Sequence, residues 1–91
     1  MAIIVKIPAP LRRVTDGQRE VSTEAATVGE CIERLAQAYP GLKDRICEED
    51  GSIRRFVNIY VRGEDIRFGN GLQTPLKDGD DVSIVPAASG G

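Results

Sequence analysis

The segment TVGECIERLAQAYPG, residues 27–41, constrains the rest of the chain more than any other. Thr27 and Glu30 stand in the T-x-x-E spacing of a capping box, in which the hydroxyl and the carboxylate each take a backbone amide that the first turn leaves free. Val28, Cys31, Ile32, Leu35, Ala36 and Tyr39 then recur at steps of three and four, one continuous apolar stripe. Pro40-Gly41 ends the pattern. A helix with one apolar face has to bury it, and strands must supply the cover.

AIIVKIP sets Ile3, Val5 and Ile7 on one face against Ile4 and Lys6 on the other, the alternation of a half-buried strand. PLRRVTDGQ is a Pro-bounded polar loop with Asp16-Gly17 as its turn signal, and QREVS returns as a second strand of a wide hairpin. After the helix, LKDRI adds a helical turn and EEDG is a plain turn. RRFVNIYV is the next strand, with Val57, Ile59 and Val61 on one face and Phe56, Asn58 and Tyr60 on the other. RGED turns the chain and IRF is expected as a short edge strand. GNGLQTPLKDGD is a long, glycine-punctuated connection, and VSIVP is the final strand. One amphipathic helix across one face of a mixed sheet satisfies this order, an α+β arrangement. The first and last strands, the most apolar, are expected side by side in the sheet centre. This is the β-grasp plan, with a β-grasp domain over residues 1–86 and a tail over residues 87–91.

Composition narrows the function. At 91 residues the chain makes one domain with one modest core. A net charge of −2 argues against nucleic acid, and RRF with IY is too short for a basic platform. The longest apolar run near the start is AIIV, and Lys6 and Pro8 break any extension of it. Neither a membrane span nor a signal peptide is expected, which makes the cytoplasm the simplest compartment. Without histidine, the usual zinc sets and the common neutral-pH general base are both missing. The acidic runs EED and DGDD lack calcium-loop spacing and read as solvated turns. Cys31 lies on the helical stripe as a small buried hydrophobe, and Cys47, in CEEDG, has acidic neighbours that oppose a thiolate. Neither is expected as a nucleophile.

The end of the chain is the remaining peculiarity: Ala87-Ala88-Ser89-Gly90-Gly91 has almost no side chains. FVNIYVRGEDIRF, followed by GLQTPLKDGDDVSIVPAASGG, resembles the ubiquitin-like sulfur carriers of the ThiS/MoaD family, which serve thiamine and molybdopterin synthesis. It is especially similar to their longer relatives in cysteine biosynthesis. The likeness runs from IIVKIPAPLR to the final Gly90-Gly91, and the departure is Ala88-Ser89 where the family often has a small apolar pair.

The resemblance implies a protein co-substrate rather than an enzyme. An adenylyltransferase/sulfurtransferase related to the ubiquitin-activating enzyme would use ATP to adenylate the Gly91 carboxylate. A sulfur donor would then displace AMP to leave a thiocarboxylate. The carrier itself would bind no cofactor and no metal. In the cysteine pathway the acceptor would be a pyridoxal-phosphate cysteine synthase, with a zinc metalloprotease releasing the product. Two alternatives stay open: the small subunit of molybdopterin synthase, and a covalent ubiquitin-like modifier captured by a lysine. An interaction module with an incidental Gly-Gly would ignore the spacing of the tail after VSIVPA.

Such chemistry suits such a tail. Only a thin, extended chain reaches an ATP buried in another protein, and glycine lets a second backbone approach closely. Ordering residues 87–91 costs roughly 1–2 kcal/mol each, about 5–10 kcal/mol together, which side-chain-poor residues cannot recover. The body must therefore dock as well. Phe56, Tyr60 and Phe68 are the expected anchors, rimmed by Arg55, Arg62 and Arg67. The protein is expected to be a monomer whose tail is disordered when alone.

Overall fold

The computed structural model describes residues 1–86. The β-strands are β1 (Ala2–Lys6), β2 (Glu20–Glu24), β3 (Val57–Val61), β4 (Glu64–Asp65) and β5 (Asp81–Pro86). They form one mixed sheet in the order β2-β1-β5-β3-β4. β5 is the middle strand, parallel to β1 and antiparallel to β3, so the first and last strands are neighbours as the sequence predicts.

The long helix, α1 (Val28–Ala38), packs across one face. Thr27 is extended, and its Oγ1 accepts a hydrogen bond from the Glu30 amide at 3.2 Å. Glu30 Oε1 accepts from the amide of Ala26 at 2.8 Å, one residue before the position a reciprocal capping box uses. Val28, Cys31, Ile32 and Leu35 face Ile3, Val5, Ile59, Val82 and Ile84 in one buried core. Burying a side chain of this size contributes roughly 1.5–3 kcal/mol, and the alternation of β1, β3 and β5 puts every second residue there. A short helix, α2 (Leu42–Ile46), closes the core from below with Leu42 and Ile46 fully buried. Gly41, at φ 99°, makes the reversal between the helices that a side chain would resist.

β3 and β4 are joined by Arg62 and Gly63, both left-handed at φ 54° and 82°, the two-residue turn whose twist suits a hairpin. Arg62 accepts this uncommon backbone while its guanidinium pairs with Asp80 and donates to the Pro75 carbonyl at 3.3 Å.

Three expectations are corrected. Ile66–Phe68 is a 3-10 turn, not an edge strand; the edge strand is the two-residue β4, and Asp65 Oδ1 accepts from the Arg67 amide at 2.9 Å, capping the turn in place of a ladder. Residues 54–56 are a turn before β3 rather than its first residues, closed by the Val57 amide donating to the Arg54 carbonyl at 3.0 Å. β2 begins at Glu20, because Gln18 is still held in the loop by its amide bond to the Thr15 carbonyl at 3.1 Å. The expected disorder of the tail concerns residues 87–91, which lie outside the described residues.

Candidate functional site

The sheet has one covered face and one open face. On the open face Tyr60, Ser83 and Lys6 sit level across β3, β5 and β1, with Asn58 beside Val85 in the next pair toward the end of β5. Val85 is 41% exposed and Ile4 is 37% exposed, apolar residues on a face otherwise polar. The sequence reading left both off the docking surface; an apolar residue on the outward side of each alternating strand was the available signal.

Phe56 lies in the turn before β3, 53% exposed, with the Arg55 guanidinium 5.6 Å from its ring centroid, within cation–π range. Phe68 is 91% exposed, an aromatic side chain with almost no cover. Tyr60 is half-buried. The arginines divide. The Arg55 side chain makes no hydrogen bond or ion pair among the described residues, whereas Arg62 is tied to Asp80 and Pro75. Arg67 turns inward on the backbone: it donates to the carbonyls of Arg54, Arg55 and Val57 at 2.6, 3.1 and 2.7 Å and to Asn58 Oδ1 at 3.1 Å. It is a brace rather than a free rim charge. Arg54, which the sequence did not single out, is braced too, through Nε to the Asp44 carbonyl and Nη1 to Glu48, both at 2.8 Å.

A shallow polar depression of about 380 Å³ lies at the far end of β5, lined by Lys6, Tyr60, Arg62, Asp80, Asp81 and Ser83. Lys6 and Asp81 pair there at 3.5 Å and Arg62 pairs with Asp80, so its charges are matched within the protein. No nucleophile with an adjacent base is assembled there. Among the described residues no group of three His, Cys, Asp or Glu could hold a metal, and no helix is long and apolar enough to cross a membrane.

Both thiols are buried and free. Burial pushes Cys31 up to about 11. Cys47 is also raised, first by desolvation; the acid that adds to this is Glu33 on α1, while Lys43 and Arg54 pull the other way. The neighbouring acids in CEEDG therefore do not supply the effect that the sequence suggests. The tail residues that the sequence singles out, Gly91, Gly90, Ser89, Ala88 and Ala87, lie outside the described residues. β5 runs through the sheet centre, and at its C-terminal end Pro86 pairs with Val57.

Residues 5–91 match the ThiS family. The chain belongs to it. The family's fold is seen in the solved relatives: a CysO of Amycolatopsis orientalis, in a structure described as a BexX/CysO complex, superposes with a TM-score of 0.91 at 42% identity, covering 98% of this chain and 99% of that one. Mycobacterium tuberculosis CysO gives a TM-score of 0.89 at 44% identity over 94% and 99% of the two chains. In sequence, the sulfur carrier protein CysO of Mycobacterium tuberculosis is 45% identical over the full length of both chains. The small archaeal modifier protein 3 of Haloferax volcanii is 34% identical, again over both full lengths. Family membership thus places the chain among small β-grasp, ubiquitin-like sulfur carriers.

Proposed function

We propose that this protein carries sulfur as a thiocarboxylate at Gly91. In the first step the Gly91 carboxylate attacks the α-phosphorus of ATP held by an activating adenylyltransferase, expelling pyrophosphate and forming an acyl-adenylate. A sulfur donor then attacks the acyl carbon and AMP leaves. The carrier binds no cofactor of its own; ATP is consumed in its partner. The observation that carries this reading is the full-length similarity to sulfur carriers named CysO, with the family match running to residue 91.

The acceptor we favour is a pyridoxal-phosphate cysteine synthase, with a zinc metalloprotease releasing the product, all in the cytoplasm. The exposed Phe56 and Phe68, with Arg55 over the first ring, are the contacts we assign to the activating enzyme, since aromatic anchors dominate such interfaces. Capture of the same acyl group by a lysine is the second reading, favoured by the full-length likeness to an archaeal modifier protein.

The test is mass spectrometry after incubation with the activating enzyme, ATP and sulfide. One oxygen should be exchanged for sulfur in the C-terminal peptide, and a variant with both cysteines replaced by serine should behave alike. Deleting Gly91 should abolish the exchange, because the new end falls about 3.3–3.6 Å short. Gly90→Val should block it as well, because a β-branched side chain cannot follow glycine's path. Sulfur on the end of the truncated chain would overturn the assignment. Adding the synthase and its acceptor substrate should then consume the thiocarboxylate; an amide to a lysine of another protein would instead support the modifier reading.

A further inference from the structure

The chain has two asparagines, Asn58 and Asn70, and the fold treats them oppositely. Asn58 lies within β3, half-buried, opposite Val85 of β5. Its Oδ1 accepts from Arg67 at 3.1 Å, and the residue after it is the β-branched Ile59, 1% exposed. Asn70 stands exposed just before the 3-10 turn Gly71–Gln73, and its side chain makes no hydrogen bond among the described residues. The Gly71 amide that follows donates to nothing among them either. Cγ of Asn70 and the Gly71 nitrogen can close a five-membered ring once Asn70 ψ turns away from 9°. Glycine has no side chain to crowd that approach, and it sits at a left-handed φ of 57°. Little holds the turn against the rotation. It buries no residue, and Leu72 is only partly buried against the core. The Gln73 amide donates to the Asn70 carbonyl at 3.0 Å, and the Thr74 amide and hydroxyl donate to the Gly71 carbonyl at 3.1 and 2.7 Å. Segments with so few anchors open locally well before the whole fold does.

We infer that Asn70-Gly71 is a site of self-modification, at which the folded chain converts its own asparagine. The Gly71 nitrogen attacks Cγ of Asn70 and forms the new N–C bond. The side-chain nitrogen leaves as ammonia, taking the proton of the Gly71 amide, and a cyclic imide remains. Water then opens either carbonyl of the ring, giving aspartate or isoaspartate, and nothing is oxidised or reduced. In the isoaspartate the main chain runs through the side chain and is longer by a methylene group. Either product sets a carboxylate two residues after Phe68, which is 91% exposed. It also adds a charge to a cleft that Asn70 lines together with Arg62, Glu64 and Asp65. A partner pocket that takes Phe68 must then desolvate that charge, so the modified chain docks more weakly on the activating enzyme. The docking consequence rests on the sulfur-carrier reading; the ring closure does not.

Tryptic peptide mapping of the folded full chain, aged at mildly alkaline pH, tests the inference. Peptide 68–77 should gain the mass of OH replacing NH2 at Asn70 and resolve into aspartyl and isoaspartyl forms. Peptide 56–62, which carries Asn58, should stay unchanged. The Asp-Gly pairs at 16, 50 and 78 can close the same ring, but water returns them at unchanged mass. Gly71→Ala should slow the gain; a Cβ there meets nothing within 4 Å, so the variant has room to fold. Asn70→Gln should suppress it, because the attack would have to close a six-membered ring. Equal conversion at Asn58 and Asn70, or equal rates in wild type and Gly71→Ala, overturns the site. So does a folded protein that keeps Asn70 intact while the urea-unfolded chain converts. Separated by ion exchange, the isoaspartyl protein should show a severalfold higher KM toward the activating enzyme at unchanged kcat. A KM equal to that of wild type overturns the docking consequence. If wild-type protein acquires no sulfur, the carrier reading falls while the peptide maps still decide the site.

Discussion

Under α1, Val57, Ile59 and Val61 are all buried, whereas Asn58 and Tyr60 of the same strand remain half-exposed on the opposite face. The covered face holds nearly every large apolar side chain of the strands, and the open face holds Lys6, Asp81, Ser83 and scattered apolar residues. The two-residue period thus divides one strand between a buried side that holds the core and an open side whose residues can change without disturbing it.

Ile59→Ala should break the comparison hardest from the covered side. Ile59 is 1% exposed, and truncation there should cost about 2–5 kcal/mol, read as a lower urea midpoint at constant m-value. Next comes Thr27→Ala, which removes the cap on the Glu30 amide and should cost about 1 kcal/mol, measured in the same titration. A loss under a few tenths would show that Glu30, through Ala26, holds the helix start unaided.

An alkaline effect is expected as well. Cys31 is lifted from 9.0 to about 11 by burial, so the unfolded chain ionises first. The advantage of the neutral buried thiol is complete below pH 9.0 and is lost as pH rises toward about 11. Under reducing conditions the thermal midpoint of wild type should fall more steeply over that window than that of Cys31→Ala; parallel slopes would remove Cys31 as the cause.

The smallest change in stability belongs to the open side. Phe56→Ala combined with Phe68→Ala should move stability by no more than about 0.5 kcal/mol, while KM toward the activating enzyme rises. Unchanged kinetics would shift the docking surface to the Ile4–Val85 side of the sheet.

Much of the covered face was legible in the sequence. The capping box and three-four stripe give α1, and the alternation in AIIVKIP and VNIYV gives both faces of β1 and β3, because burial enforces those periods over several residues. The edge was harder. IRF has the composition of a strand, but Asp65 offers the backbone a side-chain acceptor instead, and two residues are too few for periodicity to register. Arg67 was misread for the same reason. A guanidinium that binds carbonyls of residues ten or more positions away leaves no local trace, and an arginine beside Phe68 looks like any surface charge. The tail was recognised by composition and resemblance, not by pattern, since residues so poor in side chains have none.

The parallel pairing of β1 with β5 also bears on the birth of the molecule. While the chain emerges from the ribosome, β1 and β2 can form a hairpin early, but the strand that joins them to β3 and β4 is drawn from residues 81–86. Contacts between such distant parts of a chain form late and slowly. A chain interrupted anywhere before β5 therefore has no middle to its sheet and is open to degradation. Only once residues 81–86 are made can the two halves of the sheet join.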